Sequence, residues 1–256
     1  MDQRREPILN VPAVVVALLL VLGVLHFVRT YLLSDMTDAT LVWTLAFVPA
    51  RYDTTILTEG VYPGGTGAEI WTFVTYALLH ADWTHYGFNA MSLLAFGTPV
   101  ARRFGAGRFL AFFLVTVAAG ALFYLAMHAG DRSPLVGASA GISGMMGAAA
   151  RFAFEPGGSL DMWHRRRENA ERVPAASLLA ALRNPRVVAF VVVWFGLNLL
   201  FGLGSLPLGG SAGQAVAWEA HVGGFFAGLL LFSLFDPPWR ALPHDDSAPH
   251  DETTLH

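Results

Sequence analysis

The chain of 256 residues contains no cysteine and no lysine, and it has few charged residues of any kind. The absence of cysteine excludes disulfides, thiolate metal sites and a cysteine nucleophile. Because all 16 basic residues are arginine, a serine–lysine catalytic dyad is excluded as well. Charged residues make up 14% of the chain, against about 25% in typical soluble domains. With 54% hydrophobic residues, this composition predicts a protein that crosses a membrane several times.

Six apolar segments approach the length of about 20 residues that a helix needs to cross the hydrocarbon of a bilayer. They predict an all-α membrane protein, a bundle of six transmembrane helices within a membrane domain at 1–240. The second, fourth and sixth segments carry polar residues near their starts. The predicted spans are Val11–Leu33, Trp83–Val100, Phe109–Met127, Leu135–Phe154, Val187–Leu203 and Ala215–Phe235.

Arginine is distributed unevenly between the connections. It precedes the first span at Arg4 and Arg5, follows the second span, and is most abundant between the fourth and fifth. The long first connection, at about 34–82, has one arginine, Arg51, against six acidic residues. Because arginine and lysine accumulate on the cytoplasmic side, both termini are expected in the cytoplasm, and the even spans should start at the outer face. Abundant alanine and glycine together with arginine in place of lysine are typical of a GC-rich bacterium, so we expect the inner membrane.

Three segments outside the spans have recognisable compositions. Leu41–Tyr52, in the first connection, is apolar and aromatic but too short to cross a bilayer, so it is expected at the interface or packed on the bundle. The tail at 241–256 is acidic and is predicted to be disordered; its scattered histidines are not expected to bind a metal. The arginine-rich loop Trp163–Val173 is interpreted as an anchor to anionic lipid.

Polar side chains at membrane depth are costly and point to function. His85 and Asn89 lie near the start of the second span and share one helix face, because they are four residues apart. Ser139 and Ser143 lie early in the fourth span, and His221 lies early in the sixth. If the even spans all start at the outer face, these side chains occupy one layer that is open to water from outside.

These residue types suit acyl transfer. A serine hydroxyl becomes a good nucleophile when a base such as histidine takes its proton. Candidate oxyanion donors are the Asn89 amide, a ring N–H of His85, and the backbone N–H of Ser139 in the first turn of its helix. No aspartate is placed to orient His221, which favours a dyad over a triad. A single serine in a span is usually a packing residue, so the inference depends on serine, histidine and asparagine meeting from three helices.

The fourth span is short and rich in glycine. Gly137, Gly141 and Gly144 fall on one stripe of the helix, opposite Ser139 and Ser143. On the sixth span Gly224 and Gly228 follow His221 on one face. Small residues let membrane helices approach closely. We therefore expect a slender central fourth helix, with a neighbour against its glycine stripe and His221 facing Ser139.

Three motifs together resemble the rhomboid intramembrane serine proteases: HADWTHYGFN at His80–Asn89, GASAG at Gly137–Gly141, and AHVGGFFAG at Ala220–Gly228. Their order, the spans that carry them and the six-span layout all agree with that family. The resemblance implies a rhomboid-like fold and cleavage of transmembrane or near-transmembrane segments of other proteins, without a cofactor.

The resemblance also implies roles for individual residues. Ser139 is then the nucleophile, His221 the base, and His85 and Asn89 part of the oxyanion hole, with His80 in support. The chain departs from the family pattern at two positions. Thr72 follows Trp71 where the family often has arginine, and Ser143 stands where an aromatic residue commonly packs against the base. The two departures concern residues that support the first connection and the orientation of the histidine.

Other classes of function fit less well. The sequence lacks the His-Glu-x-x-His pattern of zinc proteases and has no pair of aspartates within the spans. A small transporter is disfavoured because no inverted repeat is visible and the polar groups cluster at one depth. A catalytically silent rhomboid-like protein that binds membrane clients remains the alternative, although such proteins typically lack the serine or the histidine. The expected partners are transmembrane substrates and the lipid bilayer, with no nucleic acid and no metal.

Overall fold

The computed structural model describes residues 11–53, 62–161, 170–202 and 217–238. Within these ranges the chain is helical, and the one strand-like feature is an isolated antiparallel bridge between Phe47 and Leu135. The α-helices of the described ranges are α1 (Ala13–Tyr31), α2 (Asp35–Leu45), α3 (Gly65–Thr75), α4 (Trp83–Ser92), α5 (Thr98–Phe104), α6 (Ala106–Met127), α7 (Ser139–Ala149), α8 (Leu178–Arg183), α9 (Pro185–Gly202) and α10 (Trp218–Phe235).

Three of the described helices, α1, α6 and α10, are long and apolar enough to cross a bilayer. They correspond to the predicted first, third and sixth spans. The apolar part of α9, Pro185–Leu200, is shorter and corresponds to the predicted fifth span. The chain is thus a helical, multi-pass membrane protein, as expected, while the count of six spans stays a prediction. The predicted start of the sixth span at Ala215 and the tail at 241–256 lie outside the described residues.

The second predicted span continues further than expected. It was predicted to end at Val100, but helical structure runs from α4 through a π-helical segment, Leu93–Gly97, into α5 and ends at Phe104. Pro99 lies in the first turn of α5, directly after the π-helical segment; because proline has no N–H, the helix hydrogen-bond ladder is interrupted at this point. The Asp82 side chain caps the start of α4 by accepting from the His85 N–H at 2.8 Å.

The fourth predicted span is shorter than the range Leu135–Phe154, which is wrong at both ends. The helix α7 has 11 residues and begins at Ser139. Before it, Leu135 pairs with Phe47 in the bridge, and Gly137 adopts φ +119°, a conformation that residues with a Cβ rarely adopt. All residues from Ala140 to Ala149 are buried, so α7 is the central helix of the bundle.

Glycines bring α7 into close contact with two neighbours. A Cβ on Gly141 would meet the Phe113 ring of α6, and a Cβ on Gly144 would meet the side chain of Thr116. The glycine stripe of α7 therefore packs on the third span. On the other side, α10 approaches through its own glycines, since a Cβ on Gly224 or Gly228 would collide with a carbonyl oxygen of α7. This approach is how small residues pack membrane helices.

The apolar part of the first connection packs on the bundle. Residues 46–51 are buried, and Phe47 exchanges two backbone hydrogen bonds with Leu135, at 3.2 and 2.8 Å, just ahead of α7. The Tyr52 hydroxyl donates to the Glu69 carbonyl at 2.8 Å, and burial raises the pKa of this tyrosine. The connection is thus tied both to α3 and to the chain that leads into α7.

A buried arginine ties together the end of the bundle that lies away from Ser139. Arg103, at the end of α5, pairs with Asp236 just after α10 at 2.7 Å and also donates to the Glu171 and Val173 carbonyls. Its guanidinium carbon lies 4.7 Å from the centroid of the Phe152 ring. One cation therefore joins α5, the end of α10 and the segment before α8.

Replacing Arg103 with methionine should lower the free energy of unfolding by about 3 kcal/mol, because the Arg103 side chain is 1% exposed and Asp236 and two backbone carbonyls would lose this buried donor. The loss is measured as a lower midpoint of thermal unfolding in detergent. Arg102→Met is the matched control. Arg102 also pairs with an acid, Glu171 at 2.7 Å, but its side chain is 32% exposed, and such pairs contribute about 0–1 kcal/mol. Equal losses in the two variants would contradict the role assigned to Arg103.

Candidate active site

The structure brings Ser139 and His221 into contact although they are far apart in the sequence. The Ser139 Oγ lies 2.7 Å from the His221 Nε2, a normal length for a hydrogen bond. Ser139 is the first residue of α7, and His221 lies in the first turn of α10. The two helices start at the same end of the bundle, so the short α7 presents its first residue at the level of the histidine.

Close packing of α7 and α10 fixes this contact. Gly224 lies against the carbonyl oxygen of Ala140, the residue after Ser139. Because Gly224 follows His221 by three residues, both project from the same side of α10. Any side chain at this glycine would push the helices apart and draw the imidazole away from the hydroxyl.

His85 and Asn89 lie near the start of α4, beside the entry to α7. A Cβ on Gly137 would lie 2.7 Å from the His85 Nε2 and 3.5 Å from the Ser139 Oγ, so the missing side chain leaves space between those two atoms. The His85 Nδ1 accepts from the Ala81 N–H at 3.4 Å, which leaves the proton on Nε2 and makes that nitrogen a donor toward the space. Asn89 is buried, and its Nδ2 donates to the His85 carbonyl at 2.9 Å; the amide nitrogen has a second hydrogen.

A residue that the sequence did not single out also contacts the histidine. The Asn198 Oδ1, on α9, lies 2.5 Å from the His221 Nδ1. Asn198 is 7% exposed, and its Nδ2 donates to the Trp194 carbonyl at 2.7 Å. The sequence predicts no aspartate beside His221, and in the structure an asparagine amide occupies that place.

The position of Asn198 in the sequence already points to a functional role. It is a single polar residue within the apolar stretch FVVVWFGLNLLFG of α9, and such residues point to function by default. The polar layer predicted from the sequence includes only the starts of the even spans. Because odd spans run in the opposite direction, their ends, including the end of α9, reach the same layer.

The departure at Thr72 is accommodated by other contacts. Thr72 is fully buried, and its hydroxyl donates to the Ala68 carbonyl at 2.5 Å. The first connection nevertheless contains a buried arginine, Arg51, which donates to the Trp43 carbonyl at 2.8 Å and the Pro63 carbonyl at 3.1 Å. A cation thus holds two parts of this connection together from a different position in the sequence.

Two further histidines lie at the same end of the bundle without a hydrogen bond to Ser139: His26 is toward the end of α1, and His80 lies just before α4. His80 is fully buried, its ring centroid lies 5.2 Å from that of His85, and its carbonyl accepts from Arg29 at 2.9 Å. His26 is 3% exposed and packs edge-on against Trp83, 4.6 Å between ring centroids. In the described part of the chain no three histidine, aspartate or glutamate side chains gather in a way that would hold a metal.

The fold and the site define a multi-pass helical membrane protein with a serine and a histidine in contact near one end of the bundle. A family model described as the Rhomboid domain matches residues 67–236, more than half of the chain. The chain belongs to the rhomboid family.

The relatives that match parts of the chain include two proteins of Bacillus subtilis and one of Homo sapiens. Rhomboid protease GluP of Bacillus subtilis (strain 168) is 37% identical over 86 residues, 34% of this chain and 16% of the relative. Putative rhomboid protease YdcA of the same organism is 36% identical over 88 residues, 33% of this chain and 42% of the relative. Rhomboid-related protein 3 of Homo sapiens is 33% identical over 89 residues, 34% of this chain and 21% of the relative. Each match spans less than half of the relative's own length.

Proposed function

We propose that this protein is an intramembrane serine endopeptidase that hydrolyses peptide bonds in or near the transmembrane segments of other membrane proteins. The observation that carries the proposal is the 2.7 Å contact between the Ser139 Oγ and the His221 Nε2. Membership of a family whose relatives include proteins named rhomboid proteases supports the same reaction.

The reaction uses groups of the chain itself. As the Ser139 oxygen attacks the carbonyl carbon of the scissile bond, the His221 Nε2 takes the hydroxyl proton. The same nitrogen then gives that proton to the departing amine, and water hydrolyses the acyl-enzyme by the reverse use of the histidine. The oxyanion is bound by the Ser139 N–H, which lacks an acceptor within its helix, together with His85 and Asn89.

The position of the site indicates that the substrate is a segment of a membrane protein. The helices around α7 expose large apolar side chains, such as Leu122 on α6 and Val192 on α9, so we infer that the peptide reaches the site from the bilayer. A helical substrate has its backbone groups hydrogen-bonded to each other, and it must unwind locally before a carbonyl reaches Ser139. We propose a bacterial inner membrane because arginine replaces lysine throughout and alanine and glycine are abundant. We further propose six spans with both termini in the cytoplasm and the site open to the outer side, because arginine accumulates in the alternate connections.

A serine-directed fluorophosphonate tests the proposal. Purified protein in liposomes is mixed with a fluorescently labelled transmembrane substrate, with and without the phosphonate, and the labelled residue is identified by mass spectrometry. We expect cleavage of the untreated substrate, loss of cleavage after labelling, and the label on Ser139 alone. A label on Ser143 would contradict the assignment of the nucleophile. Binding of the substrate without any cleavage would favour the silent, client-binding alternative.

A further inference from the structure

Asn198 makes two hydrogen bonds that together fix the orientation of its amide. The Trp194 carbonyl, one turn earlier on α9, can only accept a hydrogen bond, so the NH₂ group of Asn198 must face it, at 2.7 Å. The Oδ1 then faces the His221 Nδ1 at 2.5 Å. Exchanging the two amide atoms would set an oxygen against a carbonyl oxygen, so the geometry selects one arrangement.

This arrangement determines where the proton of the imidazole lies. Since the Asn198 Oδ1 is an acceptor, the His221 Nδ1 must carry the hydrogen that it accepts. In a neutral imidazole the Nε2 then has a free lone pair, and that nitrogen faces the Ser139 Oγ at 2.7 Å. The hydrogen bonds run in one direction, from the Ser139 hydroxyl through the imidazole and the amide to the Trp194 carbonyl, and such chains strengthen each other.

The position of α9 at this level is supported by an aromatic contact. The Trp194 ring stacks on the Phe225 ring of α10, with 4.7 Å between the centroids and 25° between the planes. Phe225 follows His221 by one helical turn, so the helix that carries the amide packs directly on the helix that carries the imidazole. A buried amide within an apolar helix is costly unless it is hydrogen-bonded, and here both ends of the amide are.

We propose that Asn198 is a positioning residue for proteolysis: its amide holds His221 in the tautomer and rotamer that accept the Ser139 proton. The inference rests on the proposed function of Ser139 and His221. It extends the predicted dyad to a relay of serine, histidine and asparagine, in which the third group is neutral. A neutral acceptor fixes the ring but adds no full charge to the site, so its removal should cost less than removal of either reacting group.

Asn198→Leu removes the acceptor with little change of volume, and Asn198→Asp restores an oxygen at the same position. We expect Asn198→Leu to lower kcat by ~10- to 100-fold, the range known for groups that orient a metal-binding histidine, with KM nearly unchanged. Asn198→Asp should recover part of that loss. Val193→Leu, on the exposed face of α9, is the matched control and should behave as the wild type. Full kcat in Asn198→Leu, or an Asn198→Asp variant no better than Asn198→Leu, would overturn the proposal.

The tautomer itself can be read without any substrate. In a ¹⁵N-histidine NMR spectrum of the protein in detergent, the His221 signals are those lost in His221→Gln. We expect a neutral ring with the proton on Nδ1 in the wild type and in Val193→Leu, and loss of that single tautomer in Asn198→Leu. An unchanged tautomer in Asn198→Leu would refute the role of Asn198 even if the protein cuts. Absence of cutting by the wild type, with the expected spectra, would refute the proposed function and leave the contact in place.

Discussion

Ser139→Ala is expected to lower the rate of cleavage of a transmembrane substrate by ~10⁴-fold or more. A serine protease without its nucleophile keeps only the contributions of substrate binding and the oxyanion hole. His221→Ala should lower it by a similar factor, because the Ser139 hydroxyl would lose its proposed base, 2.7 Å away. Residues that act as one unit give effects that do not add. The double variant should therefore be no slower than either single variant, as measured with purified proteins in liposomes.

Ser143→Ala is the matched control for this experiment. Ser143 lies one helical turn after Ser139 on α7 and is itself a buried serine, 3% exposed, so the same substitution tests position rather than residue type. We expect it to keep cleavage within a few-fold of the wild type. An inactive Ser143→Ala together with an active Ser139→Ala would reverse the assignment of the nucleophile. A double variant far slower than both single variants would mean that serine and histidine act separately.

The sequence predicted the helical class and the main apolar helices because each rests on a local property. A run of apolar residues indicates a span whatever surrounds it. The motifs around Ser139, His85 and His221 were visible because each combines a reactive side chain with glycine or asparagine at helical spacing. Their approach in space could be inferred because the starts of the even spans meet at one face.

Features that depend on tertiary contacts could not be read from the sequence. The ends of α7 are set by the bridge between Phe47 and Leu135 and by the backbone of Gly137, and hydropathy reports neither. The role of Arg51 depends on carbonyls that come together only when the first connection folds. Asn198 could be predicted in part. Its polarity within an apolar helix is visible in the sequence, but its contact with His221 depends on the packing of α9 on α10.

Replacing Gly224 or Gly228 with valine is expected to destabilise the bundle and to reduce activity. In each case the new Cβ alone would collide with backbone, the Ala140 carbonyl for Gly224 and the Gly144 carbonyl for Gly228. Backbone atoms of the central helix cannot move aside as a flexible side chain can, so α10 must shift. Overpacking of this kind costs about 1–3 kcal/mol, and a collision with backbone at a helix crossing belongs at the upper end. Thermal unfolding in detergent should show a clearly lower midpoint for each variant.

The effect on activity should exceed the effect on stability. His221 lies one turn before Gly224, so an outward shift of α10 separates its Nε2 from the Ser139 Oγ, and a displacement of about 1 Å at a reacting group can cost ~10²-fold in rate. Gly196→Val on α9 is the matched control, because a Cβ at Gly196 meets nothing within 4 Å while the change in helix propensity is the same. Gly224→Val should therefore lose both stability and cleavage where Gly196→Val loses little of either. Equal behaviour of these two variants would contradict the close approach of α7 and α10 that holds serine and histidine together.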